Sequence, residues 1–400
     1  MKELQVQKYL REGNTLEQLE TDFGIIHKFD KANELVILNY SQIDSKKIDQ
    51  IACECRALIL EVGTWNIVSK AFTRFFNYGE TAGDGVQSWD LAEGFEFDKC
   101  DFYEKRDGSL VSIFNYKGEW RIATRGTIDN DACPKGSDQT FTELIEEGLL
   151  TRLSWHGNTD GSEINRERMF EGFDKEYSYI LEITSPKNRI VTRYENTELA
   201  LLGARNQITG CEVGGRSLFM LADATNISRP IKFDYTNVND LIKHLDEEYA
   251  PTFEGVVAVG RVANEYGDFQ RVKIKKDSYL NLHHMLDKIG TDHAILGIII
   301  KNEQDEVINQ FPNYTDTFRD IETKYNSYLK RIQLAEVTAK KLIDEGADKK
   351  TFAIAVKDEP NKPYFFALYD KKVKTYSEFI QIQIEQRGIK QVSKNLVKLI

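Results

Sequence analysis

Apolar residues fall in two different rhythms along this chain of 400 residues. Up to about residue 285 they come in short runs rich in branched aliphatic side chains. These are Leu35-Val-Ile-Leu38, Arg56-Ala-Leu-Ile-Leu60, Leu110 to Tyr116, Tyr177 to Ile183 and Gly255 to Val259. Runs of this length bounded by polar residues predict strands. Phe141, Leu144, Ile145 and Leu149 recur at helical spacing and predict one amphipathic helix in an otherwise strand-dominated region. Beyond about 285 the period changes. Phe318, Ile321, Tyr325, Tyr328, Ile332, Ala335, Ala339 and Leu342 are separated by alternating three- and four-residue steps, one face of a long helix. Glu378 to Ile400 also reads as helical. No repeat or low-complexity tract interrupts the pattern. The expectation is an α+β body followed by a mostly α-helical appendage, with a boundary near 285 to 295, drawn as domains 1–288 and 289–400. The length suits two domains rather than one core.

Composition narrows the class. The longest apolar run, Ala294 to Ile300, is far too short to span a bilayer, and the N-terminus has no apolar signal segment. The expectation is a protein of the cytoplasm, acting without a membrane. Five cysteines without paired spacing argue against a disulfide framework, and Cys53-Glu-Cys55 has no second pair to complete a zinc site. The net charge of −11 is unevenly spread: from Gly290 onward 18 Lys and Arg face 16 Asp and Glu (+2), leaving 35 against 48 (−13) before it. Phosphate binding needs a local basic groove rather than a basic total. The acidic balance argues only against tight, sequence-blind coating of nucleic acid.

Candidate chemistry centres on Lys105, which lies between two apolar runs beside Asp107-Gly108. A plain reading is a hairpin whose Asp-Gly supplies the turn. A sharper one is the K-x-D-G element of covalent nucleotidyltransferases, whose ε-amine attacks a nucleotide α-phosphate. K-x-D-G arises by chance in roughly 0.1 of chains this long, so the motif needs support. Such an amine must be unprotonated, which predicts nearby positive charge or a metal that lowers its pKa. A triphosphate also calls for further cations and metal-handling carboxylates facing one cleft. Arg271-Val-Lys-Ile-Lys-Lys276 meets part of this, because strand alternation buries Val272 and Ile274 and puts Lys273 and Lys275 together on the other face. A solvated edge strand would look the same. Glu254 opens the strand before it. Glu182 sits within Tyr179-Ile-Leu-Glu-Ile-Thr184, where a carboxylate is costly unless paired or near a metal.

Glu54-Cys-Arg56, Lys105-Arg-Asp-Gly-Ser-Leu110, Tyr179-Ile-Leu-Glu182, Glu254-Gly-Val-Val-Ala258 and Val272-Lys-Ile-Lys275 occur in the order in which ligases and capping enzymes use them. More narrowly, the chain resembles the bacteriophage T4-like RNA ligase 1 family of ATP-dependent RNA and tRNA repair ligases. Arg74-Phe-Phe-Asn77, Thr184-Ser-Pro-Lys-Asn-Arg-Ile-Val191 and Asp277-Ser-Tyr-Leu-Asn-Leu-His283 carry that match, which covers residues 35 to 285 and thins beyond 310. The resemblance implies an antiparallel-sheet, ATP-grasp-like nucleotidyltransferase domain that uses ATP and Mg²⁺, with Mn²⁺ as an alternative. Lys105 would accept AMP, Arg56 and Arg74 would contact the nucleotide, and Glu182 would bind the ribose. Glu254 would orient hydrated metal with Asp305, Lys273 and Lys275 would hold the α-phosphate, and Arg125 and Tyr279 would serve catalysis. The substrate implied is RNA with 5′-phosphate and 3′-OH ends, here a nicked tRNA anticodon loop recognised by the helical domain. The resemblance also implies a monomer, working in an infected bacterial host for a phage-encoded chain.

This chain departs from the family in using Arg74 and Arg125 where lysine is usual, and Leu38-Asn39-Tyr40 for Tyr-Asn-Tyr. Arginine keeps the charge but presents a fork rather than a point. No G-K-[ST] phosphate loop occurs, Ala82-Gly-Asp-Gly-Val86 being a glycine turn without it. His283 and His284 are adjacent, and adjacent side chains on a helix point apart, which disfavours a paired metal site. The alternatives are a DNA ligase or capping-type enzyme, which would append a small β-barrel instead of helices, and an RNA-binding relative without chemistry.

Overall fold

The computed structural model of the chain describes residues 2–83, 88–129, 132–134, 137–154, 166–188, 190–280, 291–301, 304, 307, 308 and 314–400. The backbone packs into two compact units, Met1–His283 and His284–Ile400, whose junction falls outside the described residues. Asp305, His283 and His284 lie outside them too.

The first unit is built on antiparallel sheets. Ile25–Phe29, Leu35–Tyr40, Arg56–Glu61 and Ile67–Lys70 form a four-stranded meander. One five-stranded sheet runs Glu119–Thr124, Ser109–Tyr116, Tyr177–Thr184, Glu198–Asn206, Glu212–Val213. Another runs Lys232–Phe233, Cys100–Glu104, Gly255–Ala263, Phe269–Lys275, Phe76–Asn77, with the last pair parallel. All five apolar runs predicted as strands lie within strands. Alternation sorts their faces: Tyr179, Leu181 and Ile183 enter one core with Leu144, Ile145 and Leu149 of the Phe141–Ser154 helix, while Ile180 enters another.

Helices are more numerous in this unit than the sequence pattern suggested: Gln5–Arg11, Leu16–Phe23, Gln50–Glu54, Gly215–Thr225 and Val238–Glu248 join the predicted one. Most are short, and their local signals are caps rather than long apolar stripes. Thr15 and Gln18 close a capping box, with Thr15 Oγ1 accepting from the Gln18 N–H (3.2 Å) and Gln18 Oε1 from the Thr15 N–H (2.8 Å). Gly24, at φ +67°, ends that helix in the left-handed conformation.

The described part of the second unit is helical: Asp292–Ile300, Thr315–Asp344, Lys349–Ala355, Lys362–Tyr369, Tyr376–Arg387 and Ile389–Leu396. Thr315–Asp344 buries Phe318, Ile321, Tyr328, Ile332 and Ala339, five of the eight positions expected on its apolar face. The stretch expected as one helix from 378 is two, broken at Gly388 (φ +77°). Asn361 Nδ2 donates to the hydroxyls of Tyr328 (3.2 Å) and Tyr376 (3.1 Å), tying three segments through one half-buried side chain. Among the described residues no helix is long and apolar enough to cross a membrane.

Candidate active site

Three strand ends of the first unit converge on a cleft of about 970 Å³. Lys105 follows the Cys100–Glu104 strand, and its N–H donates to the Gly255 carbonyl (2.9 Å), which places it beside Glu254. Glu254 is buried and both its oxygens are engaged: Oε2 lies 2.8 Å from Lys105 Nζ and Oε1 2.8 Å from Lys275 Nζ. Val272 and Ile274 are buried in the sheet core while Lys273 and Lys275 line the cleft, as alternation requires. Glu182 lines the same cleft and accepts a hydrogen bond from the Gly108 N–H. The tight packing here needs glycine twice. A Cβ on Gly108 would run into the Ile183 carbonyl oxygen, and one on Gly255, at φ +137°, into that of Ile274.

Asp107 is more than a turn residue. It is buried, and Oδ2 accepts from the Val191 (2.8 Å) and Thr192 (2.6 Å) N–H groups. Its Oδ1 accepts from the Tyr279 hydroxyl at 2.7 Å. Tyr279 is buried and absent from the cleft lining; it reaches the site through Asp107 and through Lys275, whose Nζ lies 5.5 Å from its ring centre.

The cleft also gathers guanidinium groups. Arg56 lies over Phe75 (5.2 Å) with Nη1 buried and without a hydrogen-bond partner, and Lys273 Nζ lies 4.7 Å from the same ring. The Tyr40 ring takes two arginines, Arg74 at 3.9 Å and Arg125 at 4.6 Å. Arg125 lines the cleft and Arg74 does not. Asn39 steadies this corner: its Oδ1 accepts from the Ala57 N–H (2.9 Å) and its Nδ2 donates to the Arg125 carbonyl. Ala57 is held at φ +53°, an unusual conformation for a side chain with a Cβ, next to Arg56.

Protonation states follow from this crowding. Burial alone would lower the Lys105 pKa, but Glu254 and Glu182 outweigh it and the net shift is upward. The sequence alone predicts the reverse, because an amine nucleophile requires nearby cations, whereas the fold brings the Glu254 carboxylate into contact with Lys105 from 149 residues away. Burial, reinforced by Arg56, Lys105 and Lys275, instead pulls Lys273 down to about 7. Burial raises Glu182 to about 7 against the pull of Lys105, and burial lowers Arg56 to about 10.

Arg56, Lys105, Arg125, Glu182, Lys273 and Lys275 thus share one cleft lining, with Glu254 bonded to two of them. Arg106, Arg229 and Arg271 line it as well and were not singled out from the sequence. Arg271 could have been, since period 2 puts it on the face of Lys273 and Lys275. Arg229 lies outside any strand and carries no local signal. Among the described residues no cluster of three metal-ligating side chains occurs.

A lysine in contact with a buried glutamate, ringed by cations with few counter-charges, defines a site for an anionic, phosphate-bearing ligand. A family model described as RNA ligase, of the T4 RNA ligase 1 type, matches residues 54–279, and the chain belongs to that family. It is 29% identical over 304 residues to a putative bifunctional polynucleotide kinase/RNA ligase of Autographa californica nuclear polyhedrosis virus, covering 74% of this chain but only 40% of that relative. It is 26% identical over 383 residues to an RNA ligase of Rhodothermus phage RM378, covering 81% of this chain and 82% of that one. Among solved structures, an archaeal ATP-dependent RNA ligase aligns at 14% identity with a TM-score of 0.41, over 69% of this chain and 64% of its own.

Proposed function

We propose that the chain is an ATP-dependent RNA ligase that carries AMP on Lys105. The observation that carries this reading is the Glu254 carboxylate bridging Lys105 and Lys275 at 2.8 Å each, in a cleft walled by Lys273, Arg56 and Arg125. Lys105 Nζ attacks the α-phosphorus of ATP; an N–P bond forms, the bond to the bridging oxygen breaks, and pyrophosphate leaves. Glu254 Oε2 is at hydrogen-bond distance to take the proton that the ammonium must lose. An oxygen of an RNA 5′-phosphate then attacks the same phosphorus, breaking the N–P bond and leaving AMP on the RNA end. The 3′-OH of the other end finally attacks the RNA 5′-phosphorus, forms the phosphodiester and expels AMP.

The surrounding groups divide this work. Lys273 and Lys275 hold the α-phosphate, and Glu182 takes the ribose. Arg56, Arg74 and Arg125 carry the remaining phosphate charge, Arg74 through the Tyr40 corner. Tyr279 supports the RNA steps by fixing Asp107 and with it the loop that bears Lys105. Mg²⁺ or Mn²⁺ fits a donor set of this kind, because Mg²⁺ is usually bound by one or two carboxylates plus substrate phosphates rather than by a protein cage. Glu254 would hold it, and it would supply charge neutralisation as pyrophosphate departs. The RNA is proposed to be a broken tRNA anticodon loop, recognised with the help of the helical second unit by a monomer. The described residues from 291 onward are helical, which favours this over a DNA ligase or capping enzyme with a terminal β-barrel.

Mass spectrometry after incubation with ATP and Mg²⁺ should find one AMP attached to Lys105. Lys105→Ala should remain folded and take up none. Acid-labile, lysine-linked label from α-³²P-ATP in that variant would remove Lys105 from the role. Competition of ATP with GTP, and of RNA with DNA ends, separates the ligase from its relatives.

A further inference from the structure

A second groove of about 880 Å³ borders the first, and Tyr103, Arg229 and Pro230 line both. One face of the Gly215–Thr225 helix forms its wall, with Arg216, Phe219, Met220 and Asp223 at the i, i+3, i+4 and i+7 spacing of a single helix face. The opposite face is committed to the core through Leu218 and Leu221. A helix anchored in this way has no internal reason to present large apolar side chains outward, yet Phe219 is 56% and Met220 63% exposed.

Arg229 is the hinge between the two cavities. Its guanidinium lies 4.8 Å from the Tyr103 ring and 4.8 Å from the Phe219 ring, and its Nε is buried without a hydrogen-bond partner. Among the described residues it has no carboxylate within ion-pair range, although the unit around it is strongly acidic. Its segment is pinned by the Leu201 N–H, which donates to the Ser228 carbonyl at 2.8 Å. The other charges of the groove are mostly spent. Glu198 pairs with Arg106 (3.1 Å), Lys232 with Asp101 (3.1 Å), and Arg152 donates to the Met169 and Glu171 carbonyls. Among the described residues lining the groove, that leaves Arg216 and Arg229 as unpaired cations and Asp223 as the one carboxylate without a side-chain ion pair.

We propose that this groove is the path of a single RNA strand leaving the nucleotide cleft, with a base stacked on Phe219 and backbone phosphate held by Arg229 and Arg216. Exposed aromatic rings beside arginines in a locally cationic groove are how unpaired strands are held, since every base offers a face to stack and every linkage a charge. The occupant is a strand rather than a free nucleotide because the groove continues the cleft through Arg229. A polymer whose terminus reacts at Lys105 has to run out along some continuous surface. The proposal rests on the ligase reading for the identity of that polymer.

The test uses the full chain and a labelled 5′-phosphorylated single-stranded RNA of roughly ten nucleotides, titrated by fluorescence anisotropy at two salt concentrations. Phe219 and Arg216 are exposed and line the groove but not the nucleotide cleft, so Phe219→Ala and Arg216→Ala should fold normally and form the Lys105 adenylate from ATP at the wild-type rate. Phe219→Ala should weaken RNA binding by about tenfold, the loss expected for one stacked base. Arg216→Ala should weaken it and reduce the salt slope by about one. Wild-type RNA affinity in both variants overturns the groove, as does a wild-type chain that binds no RNA. A wild-type chain that takes up no AMP while Phe219→Ala still weakens RNA binding would overturn the ligase reading and leave the groove standing.

Discussion

Lys105 is held as an ammonium by the carboxylate it touches, whereas Lys273, two strands along the same sheet and surrounded by cations, sits near its midpoint at about 7. The two lysines therefore divide the labour: one is stored charged beside its proton acceptor, and the other is short of an anion. A triphosphate would supply that anion and drive the Lys273 pKa back up, so ATP binding near neutral pH should take up protons. Calorimetry at pH 7.5 in buffers of different ionisation enthalpy should give buffer-dependent heats, with affinity rising as pH falls toward 7. Lys273→Arg, charged at all these pH values, should remove the lysine's share and leave that of Glu182, also poised at about 7. Heats independent of buffer in the wild type would contradict this picture of the site.

The strands work as rulers. Period 2 delivers Lys273 and Lys275 to the cleft and Val272 and Ile274 to the core, and it isolates Glu182 from Leu181 and Ile183. These faces were readable because a strand has two sides and the apolar residues had claimed one. The ion network that locks the sheets together was not readable. Asp268 receives Lys70 (2.5 Å), Arg205 (2.6 Å) and the Thr73 hydroxyl (2.7 Å), while Glu212 receives Arg271 (2.5 Å). The network therefore joins strands of all three larger sheets. Against the burial that would raise it, Lys70 and Arg205 lower the Asp268 pKa from 3.8 to about 2. A depressed carboxylate contributes stability that is complete above its unfolded value and lost as pH falls from 3.8 through about 2, a contribution of about 2 kcal/mol. Asp268→Asn should cost about 3–5 kcal/mol in denaturant unfolding, because it strands two buried cations. It should also flatten the acid limb of the stability curve. A loss below about 0.5 kcal/mol would mean that Glu212 and water satisfy the cations unaided.

The two units differ in charge as well as in architecture: the −13 of the first 289 residues lies beside a slightly positive remainder. If the helical unit serves RNA recognition, removing it should separate chemistry from substrate choice. A chain truncated after residue 283 should still form the Lys105 adenylate, since every described group around the cleft lies before that point. It should seal a nicked tRNA much more slowly than the full chain while losing less on a linear RNA. Equal losses on both substrates would refute a recognition role for the helices.

Local order in the chain was enough to identify the strands, the change to helix after 285, and the lysines and glutamates of the cleft, because each depends on period or on a short motif. The order of those motifs along the chain was enough to assign the family. Short capped helices escaped, since their stabilising contacts lie with partners distant in sequence. So did Arg229, the pairing of Lys105 with Glu254, and the hold of Tyr279 on Asp107. Each of these joins residues far apart in the chain across a packed interior, and only the folded geometry settles whether a carboxylate or a cation stands next to the amine.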